Sequence, residues 1–273
     1  MTVKAPDLLR YPDRLSSVER LQIRAIRHTF EQPLLDRSVR RLQRLVGSRW
    51  ITAFTSNLAQ LHGLENVPQL DPAKSYILVS NHRSFFDLYV VTGNLVQRGM
   101  QHRILFPVRA KFFYDAPLGF VVNGVMSFFA MYPPIYRERS RAALNLLSLD
   151  EIVYRLKQGG YFAGIHPEGT RKLDDDPYTF LPAQSGVGRV IHKSRAVVLP
   201  VFVNGLINDL PKQVRSNFDR TGRPIHVVFG APIDFGEQLD RPGSPRVYKA
   251  LAERCMQVIG ELGQQEKQLR ASY

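Results

Sequence analysis

One segment of this 273-residue chain sets an imidazole, a hydroxyl and a carboxylate at a spacing suited to proton transfer: Asn81-His82-Arg83-Ser84-Phe85-Phe86-Asp87. On a continuous helix His82 and Asp87 would lie about 140° apart and never meet. They meet if His82 occupies a strand-to-helix loop and the helix starts at Ser84, so that Asp87 lies one turn in and reaches back. The helix dipole favours an ionised Asp87 there, and its carboxylate can accept one imidazole N–H and fix the tautomer. The other ring nitrogen is then free to act as a general base. Ser84-x-x-Asp87 also resembles a helix capping box, which explains the serine and aspartate by local structure alone. Capping gives no reason for Asn81-His82.

A second segment, His166-Pro167-Glu168-Gly169-Thr170-Arg171, follows the apolar run Tyr161 to Ile165. It would place a carboxylate, a hydroxyl and a guanidinium at the C-terminal end of a strand, the edge where open α/β sheets bind ligands. Arg171 and Thr170 suit a phosphate, whose oxygens a guanidinium grips in pairs. Pro-Glu-Gly is also ordinary turn chemistry. Other signatures are absent from the sequence: there is no GxxxxGK[ST] loop, no GxSxG elbow and no HExxH helix. Asp174 to Asp176 are adjacent carboxylates in a Pro-containing loop, which are expected to be solvated, and no metal site is expected.

Asn-His-x-Ser-x-x-Asp followed about eighty residues later by Pro-Glu-Gly-Thr-Arg resembles the glycerolipid acyltransferases that share an HxxxxD motif, the lysophosphatidate and glycerol-3-phosphate acyltransferases. The similarity spans roughly Tyr76 to Phe235. It includes Tyr136-Arg137, similar to the family's basic acceptor block, and Val198-Leu199-Pro200-Val201, similar to its final hydrophobic Pro block. The resemblance implies that His82 is the general base on the acceptor hydroxyl and that Asp87 orients it. It also implies an acceptor site containing Arg137, Glu168, Gly169, Thr170 and Arg171. The implied reaction moves a fatty acyl group from acyl-CoA or acyl carrier protein to a lysophosphatidate-like acceptor in phospholipid biosynthesis or remodelling, with no metal and no further cofactor. Such a thioester is already activated, so the enzyme has to position and deprotonate an alcohol.

Three residues depart from the family pattern. His166 stands where Phe is common, Lys172 where Ser often follows the Arg, and Gln184 where a basic residue is common. They alter hydrogen bonding and charge around the acceptor pocket, and they motivate an alternative: a non-catalytic lipid-binding protein that retains the fold.

Elements must position these groups. Tyr76–Ser80, Arg103–Val108, Ser127–Tyr132, Tyr161–His166, Val197–Val203 and Ile225–Phe229 read as strands. Helical stretches are expected from about Ser84 to Gln97, Ser140 to Gln158, Gly186 to Lys193 and Arg246 to Leu262, stopping near Gly263. Strands separated by helical segments require crossovers, which predicts an α/β fold: a single domain with a largely parallel or mixed central sheet flanked by helices. Residues 61–273 would form this acyltransferase domain. The run Leu118 to Met126 and the Phe128-Phe129 pair are expected in the core, or lining an acyl groove.

Residues 1–60 differ in character. Arg14 to Arg49 include nine arginines against Glu19, Glu31 and Asp36. Leu35, Val39, Leu42, Val46 and Trp50 fall within about 80° on a helical wheel, opposite Arg37, Arg40, Arg41 and Arg44. Pro33 should separate this basic amphipathic helix from an earlier one starting near Ser17, giving an N-terminal helical pair. Such a helix either packs on its own domain or lies on an anionic membrane with Trp50 and Phe54 as anchors.

The net charge of +13 calls for an anionic partner. No RRM, KH or zinc-finger signature favours nucleic acid. The single Cys255 excludes an internal disulfide and cysteine-based zinc sites, and fits a reducing compartment. The sequence shows no secretory signal, and Leu118–Tyr132 is too short and too broken to span a bilayer. These features predict a peripheral protein on the cytoplasmic side of a membrane.

Overall fold

The computed structural model describes residues 5–114 and 117–272. In chain order the helices are α1 (Ser17–Glu31), α2 (Pro33–Leu42), α3 (Ser48–Ala53), α4 (Asp87–Gln97), α5 (Ala110–Phe113), α6 (Pro117–Met126), α7 (Ala142–Gln158), α8 (Ser185–Ser194), α9 (Leu210–Phe218) and α10 (Pro245–Ala271). The strands are β1 (Ala59–His62), β2 (Tyr76–Ser80), β3 (Arg103–Arg109), β4 (Met131–Ile135), β5 (Tyr161–Ile165), β6 (Val197–Asn204) and β7 (Ile225–Phe229). They form one seven-stranded sheet in the order β1-β7-β6-β2-β5-β3-β4. All neighbours run parallel except β6 and β7, so the sheet is mixed.

β2 lies at the centre, between β5 and β6, with helices over both faces. That is why Tyr76–Ser80 is a continuous apolar run rather than an alternating one. Val79 is paired with Ile165 of β5 on one side and with Pro200 of β6 on the other. The chain segments leaving β2 and β5 therefore emerge side by side at one sheet edge.

The helical pair forms as the sequence predicts. Ser16 and Glu19 make a reciprocal capping box at the start of α1, and Pro33 occupies the first turn of α2. α1 is built into the core through Ile23, Ile26 and Phe30. The fully buried Arg103 of β3 donates to Asp36 Oδ1 at 2.5 Å and to the Thr29 carbonyl at 2.8 Å, and its guanidinium lies 3.7 Å from the Phe30 ring centroid. Removing Asp36 would leave an unpaired buried cation, which typically costs about 3–5 kcal/mol. Arg40, expected on the solvent face, instead bonds to Asp36 and to the Gly160 carbonyl.

Beyond α2 the helix widens into a π-helical turn over Gln43–Gly47, where Gln43 bonds to both backbone groups of Ile104 and to the Phe128 carbonyl. Trp50 donates its indole N–H to the Met126 carbonyl, so its polar edge faces inward.

Several boundaries differ from expectation. β4 starts four residues and ends three residues later than the predicted Ser127–Tyr132 strand. It includes Pro133 and Pro134, which an edge strand tolerates because one side needs no ladder donors. α10 continues past Gly263, which packs against the Phe202 ring: a Cβ there would come within 3.1 Å of that ring. β1 and α9 were not anticipated. The run Leu118 to Met126 is not core throughout, since Leu118, Val121 and Val125 on α6 are all more than half exposed. Among the described residues, no helix is long and apolar enough to cross a membrane.

Candidate active site

His82 follows β2 by two residues, and the turn through Ser84 delivers Asp87 as the first residue of α4. The helix thus starts three residues later than expected. Asp87 is 1% exposed and reaches back: its Oδ2 accepts the backbone N–H groups of Arg83 and Ser84, both at 2.8 Å. The same oxygen lies 3.5 Å from His82 Nδ1. The capping box itself does not form, because α4 begins at Asp87 and Ser84 Oγ accepts the Phe86 N–H; the Asp87 carboxylate instead closes the turn and faces the imidazole. Its second oxygen, Oδ1, is buried and has no hydrogen-bond partner.

Asn81 explains itself in the structure. Its side chain donates to the Val203 carbonyl at 2.9 Å and accepts the Val203 N–H at 2.8 Å, imitating a strand residue against β6. The main chain is then free to turn out of the sheet and lift His82 above its edge.

Glu168 joins the two motifs. It is 2% exposed, and its Oε1 accepts the His82 N–H while Oε2 accepts the Leu181 N–H, each at 2.8 Å. Both oxygens are committed to backbone, so Glu168 acts by holding the two loops together. The Lys172 N–H donates to the His82 carbonyl at 3.2 Å, adding a second tie. Gly169 has φ +69°, a conformation that favours glycine, and it packs against Gln184. Thr170 is half-buried beside it.

Arg171 donates to Asn208 Oδ1 at 2.6 Å. Asn208 also accepts the Phe85 N–H and donates to the Arg83 carbonyl, so it couples the guanidinium to the His82 loop. The sequence reading missed Asn208. The available signal was its position just past β6, at the same sheet edge.

Arg137 is exposed after β4, and with Arg171 it acts on the charge of His82. Asp174 to Asp176 are exposed, as expected, and Arg83 also bonds to the Asp174 carboxylate at 2.6 Å and to the Asp176 and Thr179 carbonyls, while Lys172 pairs with Asp174. Arg83, Lys172 and Asp174, with Asn208, Arg223 and Arg270, line a cleft of about 680 Å³ that reaches Asp87.

Electrostatics follow from burial. The His82 imidazole is pushed down to about 3, first by desolvation and then by the positive field of Arg171 and Arg137. Desolvation raises the Asp87 carboxyl to about 6, against the opposing pull of His166 and the two N–H donors. At neutral pH His82 is therefore an uncharged imidazole with an ionised carboxylate beside it, so a ring nitrogen keeps its lone pair. His82, Asp87 and His166 each offer a ligand atom within 4.8 Å of the others. The two rings, however, lie face to face, so their lone pairs run in parallel planes rather than converging on a metal.

Scanned against protein families, residues 59–204 match the family described as Acyltransferase, more than half of the chain. The chain belongs to the acyltransferase family. Its catalytic chemistry is thus acyl transfer, and the matched span contains His82, Asp87 and the turn from His166 to Arg171. Among solved structures, this acyltransferase is similar to the 1-acyl-sn-glycerophosphate (LPA) acyltransferase PlsC from Thermotoga maritima. The two share 20% identity over 88% of this chain and 86% of that one, with a TM-score of 0.55. Comparison with curated protein sequences gives no significant match.

Proposed function

We propose that this acyltransferase moves a fatty acyl group from acyl-CoA or acyl carrier protein to the hydroxyl of a lysophosphatidate-like acceptor. The observation that carries the reading is the joining of His82 and Asp87 to the Pro-Glu-Gly-Thr-Arg turn through Glu168, which supports His82 as the general base on the same sheet edge as Arg171. His82 Nε2 takes the hydroxyl proton as the alkoxide oxygen attacks the thioester carbonyl. The new ester forms as the C–S bond breaks, and the proton passes from His82 to the departing thiolate. Asp87 stabilises the transient imidazolium, while Arg171 and Arg137 hold the acceptor phosphate. The metal-free assignment rests on the thioester being activated already.

The acceptor and product of such a reaction are membrane lipids, and the surface is consistent with work at a bilayer. Leu34, Leu35, Leu42, Leu45 and Val46 are exposed on the N-terminal helices, as are Leu118, Val121 and Val125 on α6. Trp50 bonds to Met126 and Gly47 touches Phe128, so the two exposed sets belong to one rigid unit. With Arg37, Arg41 and Arg49 also exposed, this unit docks on an anionic cytoplasmic leaflet in our reading.

Purified protein and its His82→Ala variant, assayed for transfer from acyl-CoA to lysophosphatidate, test the proposal. The variant should lose roughly 10²–10⁴-fold in kcat, the usual contribution of a general base. Retention of most of the activity would remove His82 from the mechanism. Lipid binding without turnover by wild-type protein over a wide range of acceptors would instead support a non-catalytic lipid-binding role.

A further inference from the structure

Two groups meet the edge of the His82 ring, the backbone of Ser84 and the Asp87 carboxylate, and the second of these is a weak partner. Asp87 Oδ2 already accepts two backbone N–H groups at 2.8 Å, while His82 Nδ1 stands 3.5 Å away. At that separation a hydrogen bond does little to fix a ring. A contact that fixes it is present on the ring's face. The His166 imidazole lies parallel to that of His82, with centroids 3.7 Å apart and planes within 6°.

His166 is itself held. It follows β5 directly, beside the end of β2, and its Nδ1 lies 3.0 Å from the Ser80 carbonyl. A carbonyl only accepts, so Nδ1 carries the proton and the ring is anchored to the sheet. We propose that His166 is a positioning residue, a fixed aromatic plate that holds the His82 ring in the orientation from which Nε2 reaches the acceptor hydroxyl. Rotation of His82 about its side-chain bond would break the stack, and the anchored plate does not follow it.

This assignment gives a role to one of the three residues that depart from the family pattern. It also accounts for the neutrality of both rings. Burial first of all pushes the His166 imidazole down to about 3, and a proton on His82 would push the same way. Two stacked neutral imidazoles attract as aromatic faces, whereas two cations at that separation would repel.

The inference rests on His82 being the base, and its test separates the two ideas. In the full-length enzyme, His166→Ala removes the plate, and His166→Phe keeps a flat ring but loses the bond to Ser80. With acyl-CoA and lysophosphatidate, His166→Ala should lower kcat by roughly 10–100-fold with both KM values within about twofold, the pattern of a misplaced catalytic group. His166→Phe should recover kcat to within about threefold of wild type. Wild-type kcat in His166→Ala, a loss carried by KM, or a His166→Phe variant no better than His166→Ala would each overturn the assignment.

A second readout needs no turnover. Side-chain ¹H–¹³C relaxation spectra should show one fixed His82 ring orientation in wild type and His166→Phe, and motionally averaged His82 signals in His166→Ala. If His166→Ala fails to fold, the His166→Phe spectrum and kcat decide, and an averaged His82 signal in that variant overturns the plate. Activity surviving His82→Ala would refute the base and leave the spectroscopic result standing on its own.

Discussion

Replacing Asp87 by Asn should make the protein more stable and less active at once. In the folded state the Asp87 carboxyl rises from 3.8 to about 6 because burial penalises its charge more than its two N–H donors and nearby cations repay. A carboxyl raised in this way contributes stability below its unfolded value, and that contribution is lost as pH rises through about 6. At pH 8 the buried carboxylate therefore costs about 3 kcal/mol relative to a neutral group. Asn is isosteric and neutral. Its carbonyl oxygen can keep the bonds from Arg83 and Ser84, and its NH₂ takes the place of Oδ1, which has no partner to lose.

Urea unfolding at pH 8 should then show Asp87→Asn more stable than wild type by about 3 kcal/mol, and the advantage should shrink to about half at pH 5 as the wild-type carboxyl takes its proton. His82 and His166, both held near 3, contribute stability that is present above 6.5 and lost as pH falls toward 3. That contribution is common to both proteins and drops out of the difference. Meanwhile kcat should fall roughly 10²–10⁴-fold, because no anion remains to stabilise the imidazolium. An Asn variant less stable than wild type at pH 8, or an advantage that does not change with pH, would refute the claim that burial dominates at Asp87.

Three further outcomes follow from the same geometry. Glu168→Ala leaves the His82 and Leu181 N–H groups without their charged acceptor, so urea unfolding should register a loss of about 2–6 kcal/mol, and equal stability would show that water replaces the carboxylate. Arg171→Ala should raise KM for the lysolipid acceptor at least tenfold while leaving KM for the acyl donor within about twofold; the reverse pattern would reassign the guanidinium to the donor. Sedimentation with vesicles containing anionic lipid should show binding that falls as salt rises from 50 to 500 mM, and partition unaffected by replacing Leu34, Leu42 and Leu45 with Ser would place the membrane face elsewhere.

The pair His82 and Asp87 was legible because a strand-to-helix loop lets residues five apart face each other, which a continuous helix does not. The mixed sheet was legible because a buried central strand is a continuous apolar run. What the sequence concealed depends on partners far along the chain. Asn81 looks like a motif letter until Val203 is opposite it, and Glu168 looks like an acceptor ligand until its two oxygens are seen on two backbone amides. His166 reads as a departure from a pattern, and only the register of β2 against β5 puts its ring on His82. β1 was missed for a different reason: it is a four-residue edge strand, half-buried, with two polar residues and no apolar run to announce it.

The bonds that shape the His82 loop also set when it can take shape. Glu168 stands 86 residues after His82, Val203 stands 122 after Asn81, and Asn208 stands 123 after Phe85. During synthesis the helices α1 to α3 are complete long before any of these partners has left the ribosome. The loop has only its local bonds to Asp87 until β6 and the turn beyond it have been made and docked. A nascent or prematurely ended chain that stops short of Asn208 therefore carries the whole His82-to-Asp87 segment without its long-range ties.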